Sequence, residues 1–212
     1  MNLAQQWQQL LEQPLAFVDR QHLAACFPAE VAAERIHGLR KEQRFEPRLL
    51  ELLRAHFQLQ PLAAAPMPAD DDLPVLLMTP DAFRRLPRLC GAIWHAATLS
   101  REIRSEVVNQ LRATLGNEVF ALALAHRSLA GAADLLRQPD ELVAAIDHDG
   151  ALCVSAWLQA QPPLLRDWLR LRLPDPGVYD PRTPVDIRIV RSLAATFARR
   201  ETGLNPAEVT HE

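Results

Sequence analysis

Apolar residues recur at three- and four-residue steps along most of this chain, and that spacing constrains its fold more than any other feature. Residues 49–57 are one example. The N-terminal stretch is another, with apolar side chains at Leu3, Trp7, Leu10 and Leu11. Since residues three or four apart share one face of an α-helix, each stretch predicts an amphipathic helix. The pattern predicts a mostly α fold, an irregular multi-helix domain with at most one or two short strands near residues 168–174 and 184–190.

Threonine, proline and glycine indicate where helices begin and end. Thr79 is placed to cap a helix that begins at Pro80, and Pro87 predicts a kink within it. Gly150 ends the stretch "DELVAAIDHDG", and a glycine there supplies the left-handed residue that terminates many helices. A further helix that ends at Gly116 is predicted from apolar residues at strict four-residue steps, namely Ile103, Val107, Leu111 and Leu115.

A proline-rich segment, "QPLAAAPMPADDDLP" at residues 60–74, interrupts the helical pattern. Its four prolines lack backbone donors and disfavour a regular helix. The segment ends in an acidic run that is expected to be solvated, made of Asp70, Asp71 and Asp72. We therefore predict a linker or long surface loop here, between a small N-terminal helical part (1–59) and a main α-helical domain (75–212).

Composition narrows the class of protein. The 212 residues carry a formal net charge of -3 at pH 7, so bulk charge does not favour phosphate backbones or anionic lipid. The apolar runs are far shorter than the roughly 20 residues of a spanning helix, and the N-terminus lacks the pattern of a signal peptide. Cys26, Cys90 and Cys153 lie far apart, which predicts buried thiols rather than a zinc site or disulfides. A soluble intracellular protein is expected.

The stretch Asp147-His148-Asp149 is the main candidate for chemistry. A histidine–aspartate pair with a further histidine and aspartate is the metal-ligand pattern of HD-type phosphohydrolases, and His126 and Asp167 are the available partners. In those enzymes the pair lies inside an apolar helix, whereas here it is predicted in the last turn of its helix. We therefore expect no catalytic residue, no metal site and no cofactor, and keep a metal-dependent HD-type phosphohydrolase as an alternative. His95, which lies on another predicted helix, is expected to be a partly buried structural histidine.

Arginines are concentrated towards the C-terminus, at Arg166, Arg170, Arg172, Arg182, Arg188, Arg191, Arg199 and Arg200. Nucleic-acid binding would favour interleaved aromatic residues and few acids, but aspartates separate these arginines. A solvated helix face and a surface for an acidic protein partner are the other interpretations, and a helical nucleic-acid-binding domain stays an alternative function. The predicted partner-binding residues are Arg188, Arg191, Arg199 and Arg200 at this end, and Asp70, Asp71 and Asp72 in the acidic run.

The second half of the chain resembles a known family. Gly91 and His95 share a predicted helix, Ile103-Arg104 opens the next, a glycine precedes a short tryptophan-bearing helix, and "LRLRLP" closes the pattern. Over residues 75–175 this order is similar to that of the SctK family (YscK or HrpD in different systems), the accessory proteins of the sorting platform in bacterial type III secretion injectisomes. In that family only the glycine recurs at the junction that holds "IDHDG", so the resemblance predicts a turn there.

The resemblance implies a non-enzymatic adaptor without a cofactor. Such proteins lie in the bacterial cytoplasm, peripheral to the inner membrane as part of the secretion apparatus. They link the cytoplasmic domain of the inner-membrane ring protein to the pod (C-ring) protein of the sorting platform. Neither nucleic-acid binding nor membrane insertion is implied, and the isolated chain is expected to be monomeric. Our hypothesis is that the acidic run and the basic C-terminal end bridge two different partners.

Overall fold

The computed structural model describes residues 2–133, 135, 137–173 and 186–201, except for the side chains of Phe17 and of residues 199–201. Within those residues the secondary structure is helical and contains no strand, which confirms the predicted mostly α, multi-helix fold. The α-helices in chain order are α1 (Leu3–Glu12), α2 (Arg20–Ala25), α3 (Ala33–Lys41), α4 (Glu46–Phe57), α5 (Leu73–Leu76), α6 (Pro80–Trp94), α7 (Ala96–Arg101), α8 (Ser105–Leu115), α9 (Asn117–Ala125), α10 (Pro139–Gln159), α11 (Pro163–Arg170) and α12 (Arg188–Glu201). None of the described helices combines the length and the apolar character that crossing a membrane requires.

The chain forms two compact units. Of the described residues, unit 1 holds 2–84 and 158–173, and unit 2 holds 85–133, 135, 137–157 and 186–201. The chain passes from one unit to the other within α6 and within α10. The predicted division into an N-terminal part (1–59), a linker or surface loop (60–74) and a main domain (75–212) stays a prediction.

In unit 1, the segment that returns after α10 contacts the N-terminal helices. The buried Trp168 of α11 donates its indole N–H to the Gln60 carbonyl at 2.9 Å. The backbone N–H of Asp19 donates to the Leu171 carbonyl. Burial of large apolar side chains is the main stabilising contribution here, and the largest of them are Trp7, Leu23, Leu53, Leu62, Leu76, Phe83 and Trp168.

In unit 2, α9 packs against α7 and α8, while α6 and α10 approach each other closely. The buried apolar residues of α12 are Ile189, Val190, Leu193 and Ala194. The core of this unit includes Leu86, Ile93, Leu111, Ile146, Trp157, Val190 and Leu193. Each buried side chain of this size contributes roughly 1.5–3 kcal/mol relative to an exposed one.

The predicted start of α6 and the predicted end of α8 are confirmed. The hydroxyl oxygen of Thr79 accepts a hydrogen bond from the backbone N–H of Ala82 at 3.3 Å, and Pro80 is the first helical residue. Gly116 follows α8 with a φ of 93°, a backbone conformation that side chains with a Cβ rarely adopt. α6 continues through Pro87, where the missing N–H removes one helical hydrogen bond.

Three local predictions are wrong. Gly150 does not end a helix, because "DELVAAIDHDG" and the tryptophan-bearing stretch after it form the single 21-residue helix α10. Ile103 lies between α7 and α8 and is 89% exposed, instead of contributing to a buried face. The end of "LRLRLP" is not extended, since Leu171 has helical angles and residues 171–172 form a turn.

Neither of the two stretches that were predicted to form short strands does so within the described residues. Residues 168–170 belong to α11, and residues 188–190 belong to α12. Residues 174–185, which include Arg182 and the start of the second stretch, lie outside the described residues.

Residues 60–74 contribute to the core of unit 1. They contain a 3-10 turn at Leu62–Ala64 and lead into α5, and both Leu62 and Leu73 are buried. Asp70 and Asp71 are exposed as predicted. Asp72 is only 4% exposed, so the prediction that the whole acidic run is solvated is wrong for this residue. The reason is its place directly before α5, where its carbonyl accepts the Leu76 N–H at 3.0 Å.

Candidate functional site

The Asp147-His148-Asp149 stretch lies in the middle of α10, neither in a turn nor at a helix end. Its first carboxylate pairs with an arginine of α6. Arg88 donates from Nε and Nη2 to the two carboxylate oxygens of Asp147, at 2.8 and 2.7 Å. This hydrogen bonding raises the pKa of Arg88. The pair is partly exposed, so its contribution to stability is small, roughly 1 kcal/mol or less.

The second carboxylate of the stretch pairs with a buried histidine. The Nε2 atom of His95 lies 2.7 Å from Oδ2 of Asp149, and the histidine side chain is only 2% exposed. Because a carboxylate can only accept, Nε2 carries the proton and Nδ1 holds a lone pair. Nδ1 is buried and has no hydrogen-bond partner among the described residues. The expectation of a structural histidine agrees with this geometry. The pKa of His95 is lowered, chiefly by burial, while the hydrogen bond and the charge of Asp149 act in the opposite direction.

The remaining residues of the hydrolase alternative are not brought together. His148 is exposed between the two paired aspartates, and Asp167 is exposed on α11. His126 lies beside α12, with its Nδ1 atom 3.4 Å from the Ser192 hydroxyl. In the part of the chain that the structure describes, no three histidine, cysteine, aspartate or glutamate side chains gather in a group suited to a metal ion. The argument from a helix end against this alternative was wrong, but Asp149 pairs with His95 instead of with either predicted histidine.

Two glycines allow the close approach between α6 and α10. A Cβ atom built on Gly91 would lie 1.8 Å from the carbonyl oxygen of Ile146, and one on Gly150 would lie 1.8 Å from that of Pro87. Both distances are far below any van der Waals contact, so neither position accepts a side chain without a shift of backbone. Gly91 faces Ile146 and Gly150 faces Pro87, and both pairs lie within unit 2.

The contact between α6 and α10 therefore explains why two aspartates and a glycine occur together in Asp147–Gly150. We call it the α6–α10 junction, formed by Gly91 and Gly150 at the contact and by the pairs Arg88–Asp147 and His95–Asp149 beside it. Two glycines bring the backbones together, and the polar pairs fix the register of one helix against the other. This arrangement orients α6 against α10, and the carboxylates of Asp147 and Asp149 are both used in ion pairs or hydrogen bonds across the contact.

Two cysteines are buried in the same unit. Burial raises the pKa of Cys90 well above its usual range and raises that of Cys153 to about 12. A thiol must ionise to act as a nucleophile or a metal ligand, so both side chains stay protonated and unreactive near neutral pH. Cys26 in unit 1 is half-buried, which agrees less well with the predicted buried thiol.

The free energy of unfolding is expected to fall as the pH drops through the weakly acidic range. The pKa of His95 is lowered from 6.5 in the folded protein, mainly by burial, so the unfolded chain takes up a proton at higher pH. The stability that neutral His95 contributes is fully present above about pH 6.5, and it is lost as the pH falls from there through the lower pKa of the folded state. Urea unfolding at several pH values measures this slope. His95→Gln should flatten it, while His148→Gln on the exposed side of α10 should retain it, and an unchanged slope in His95→Gln would contradict the assignment.

The C-terminal arginines do not share one solvated face. Arg172 is buried in unit 1, and Arg166 donates to the Gln159 side chain at 3.3 Å. Arg188 is exposed but pairs with Asp186 at 2.7 Å, and Arg191 is half-buried. The side chains of Arg199 and Arg200 lie outside the described residues, although their backbone belongs to α12. Partner binding by Arg188, Arg191, Arg199, Arg200 and the acidic run stays a prediction.

A basic cluster near the N-terminus was not predicted. Arg20 opens α2, while His37, Arg40 and Lys41 lie on the last turns of α3. Their three- and four-residue spacing in "RIHGLRK" places the last three on one helix face, which the sequence could have indicated. The proximity of Arg20 could not be read from spacing, since it depends on how α2 packs against α3.

Comparison with known proteins gives two similar relatives, both named nodulation protein NolU. One is from Rhizobium fredii and the other from Sinorhizobium fredii (strain NBRC 101917 / NGR234). Each is 32% identical to this chain over 157 residues, which cover 72% of this chain and 68% of the relative. No family model and no solved structure matches the chain. On the identity and coverage of these two relatives, the chain belongs to the family of the nodulation protein NolU.

Proposed function

We propose that this chain is a non-enzymatic adaptor of a bacterial type III secretion injectisome. In this role it links the cytoplasmic domain of the inner-membrane ring protein to the pod protein of the sorting platform. The observation that carries the proposal is the similarity to the two NolU proteins, which supports a type III secretion role in a nodulation context. The SctK-like order of motifs over residues 75–175 supports the finer assignment to the sorting platform.

The geometry of the α6–α10 junction favours an adaptor over an enzyme. Asp149, the carboxylate of the histidine–aspartate pair that a hydrolase would use, pairs with His95 across the junction. Asp147 on the same helix pairs with Arg88. A group that is engaged in packing two helices is poorly placed to bind substrate or to exchange protons with it. We infer a cytoplasmic location at the inner face of the membrane, reached through the ring protein.

Exposed charges supply the proposed contact surfaces. In unit 1, Asp70 and Asp71 form an exposed acidic pair. In unit 2, Arg188 is exposed at the start of α12, where Asp186 partly compensates its charge. Rim charges of this kind steer association and select partners more than they add affinity. We therefore propose that each group faces a partner of opposite charge.

The experiment is co-expression with the two expected neighbours from the same bacterium. We expect a stable complex of the full chain with the ring protein's cytoplasmic domain and another with the pod protein, each sized by light scattering. If the chain stays alone with both at low salt, the adaptor proposal is wrong.

Charge variants then test the two surfaces. Asp70→Asn/Asp71→Asn is expected to weaken one of the complexes by about two- to five-fold at low salt, and Arg188→Gln/Arg191→Gln the other. Glu51→Gln and Arg127→Gln are matched controls, because both side chains are exposed and lie outside the proposed surfaces. Unchanged affinities in the charge variants would reject these residues as contacts while leaving the adaptor role in place.

A further inference from the structure

A cleft in unit 1 is lined by four basic side chains. They are contributed by α2, by the end of α3 and by the start of α6, and they are Arg20, Arg40, Lys41 and Arg84. His37 lies between them on α3. The cleft has a volume of about 360 Å³, which falls in the lower range of small-molecule sites.

The charges in this cleft do not balance. Its two carboxylates, Asp19 and Asp81, both pair with Arg84. Within the described residues, no carboxylate lies at ion-pair distance from Arg20, Arg40 or Lys41. Four cations against two carboxylates leave two positive charges in excess, if His37 is counted as neutral.

The titration of the neighbouring groups reflects this excess. The pKa of His37 is lowered, chiefly by Lys41, then by burial and by Arg20 and Arg40. The pKa of Arg40 is lowered by burial and by Arg20, against a smaller raising effect of Asp19. Like charges that are held this close destabilise the folded state, and a bound anion would remove that repulsion.

An apolar chamber adjoins the basic cleft. It has a volume of about 240 Å³ and shares Arg20, His37 and Arg40 with the cleft. Its own walls are mainly apolar, with Leu23 and Ile36 among them, and include one acidic residue, Glu34. A ligand that fills both would therefore carry an anionic group at one end and a less polar body at the other.

The number of charges and donors selects the kind of anion. A carboxylate brings one negative charge and two oxygens, whereas a phosphate monoester brings close to two charges and three terminal oxygens. Two guanidinium groups and an ammonium group match the phosphate better, because each guanidinium group donates several hydrogen bonds to phosphate oxygens. Arg40 keeps further donors for this contact beside its Nη2 atom, which donates to the Leu15 carbonyl at 2.8 Å. We propose that Arg20, Arg40 and Lys41 bind the phosphate group of a phosphate-bearing ligand whose organic part enters the adjoining chamber. This site does not depend on the adaptor role.

The test is calorimetric titration of the full chain at about 0.15 M salt. The soluble probes are inorganic phosphate and pyrophosphate, and the membrane probe is vesicles that contain phosphatidic acid. Arg20→Gln/Lys41→Gln removes two exposed cations and should raise the Kd of the bound probe about tenfold, or 1.4 kcal/mol. Arg35→Gln is the matched control, because this arginine is exposed on α3 and does not line the cleft.

Binding of a soluble probe that weakens only in the double variant would support a soluble phosphorylated ligand. The same dependence for vesicles alone would support a phospholipid headgroup. In either case the NMR titration of His37 should move to higher pH when the probe is added, since the anion offsets Lys41, Arg20 and Arg40. A poly-glutamate peptide is the control for an anion without phosphate. The proposal fails if none of the three phosphate probes binds, if Arg35→Gln loses binding as much as the double variant does, or if only the poly-glutamate peptide binds.

Discussion

Gly91→Ala is expected to lower the free energy of unfolding by about 3 kcal/mol or more, and Gly150→Ala by a similar amount. Each new methyl group would lie 1.8 Å from a backbone carbonyl oxygen of the facing helix. Backbone atoms cannot rotate away as the end of a flexible side chain can, so α6 and α10 must separate. Separation would also stretch the hydrogen bond between His95 and Asp149, which is buried on the histidine side. Equilibrium unfolding in urea measures the loss.

A third glycine provides the control for this experiment. Gly38 lies inside α3, and a Cβ atom built there meets nothing within 4 Å. Gly38→Ala should therefore stabilise the protein by up to about 1 kcal/mol, because alanine restricts the unfolded chain and favours a helix. The opposite sign of the two effects separates crowding from helix propensity. If the Gly91→Ala variant were as stable as the Gly38→Ala variant, the close contact between α6 and α10 at Gly91 would be contradicted.

The double variant tests whether the two glycines act together. Gly91 and Gly150 belong to the same junction, so a separation forced by the first methyl group makes room for the second. We expect the double variant to lose less stability than the sum of the single variants, because substitutions at contacting sites are not additive. Full additivity would indicate two independent contacts.

The helices were predictable because the apolar spacing and the capping residues act locally. Thr79 and Pro80 begin α6 through contacts within four residues, and Gly116 ends α8 through its own backbone conformation. Gly150 could not be interpreted in the same way. Local rules show only that a glycine lowers the stability of the helix that contains it. The reason for a glycine at position 150 is the nearby carbonyl of Pro87, a residue that is distant in sequence. The resemblance predicted a turn between successive helices at this glycine, which is wrong because α10 continues through it.

Two other errors have the same origin. Ile103 fits a four-residue step with the buried face of α8, yet the helix begins at Ser105 and leaves Ile103 89% exposed. Periodicity identifies a face but not the residue at which the helix starts. Asp72 belongs to an acidic run that looks solvated, but α5 begins directly after it and carries it into the core. Both outcomes depend on tertiary packing, which a pattern of residue types does not contain.

The candidate sites depend on charge pairings that the sequence does not show. A count of arginines directed attention to the C-terminal end, but it does not reveal that Arg188 pairs with Asp186. Arg20, Arg40 and Lys41 line a cleft around α2 and α3 with no carboxylate at ion-pair distance among the described residues, and only the last two share a helix. The pairing of Asp149 with His95 was equally hidden, since 54 residues separate the two. The position of a charged residue indicates a binding surface only when the ion pairs that it forms within the protein are known.

Arg172→Met is expected to lower the free energy of unfolding by about 3 kcal/mol. The guanidinium group is 4% exposed, donates from Nη1 to the Leu76 carbonyl at 2.8 Å and from Nη2 to the Met78 carbonyl, and lies over the ring of Phe83. Methionine fills a similar volume but leaves the two carbonyls without these donors in a buried site. A buried acceptor that loses its donor has the full cost of desolvation, roughly 1–3 kcal/mol for each group.

The neighbouring arginine separates this effect from a general loss of charge. Arg170 is exposed at the end of α11, so Arg170→Met should change the free energy of unfolding by no more than about 0.5 kcal/mol. Arg172→Lys should be intermediate, because an ammonium group keeps the charge but lacks the fork that reaches two carbonyls at once. If Arg172→Met were as mild as Arg170→Met, then apolar packing alone would hold the turn after α11 in unit 1. If Arg172→Met is much less stable than Arg170→Met, then the hydrogen bonds of Arg172 hold this turn against the residues before α6. An arginine with that structural role is not available to bind a partner protein.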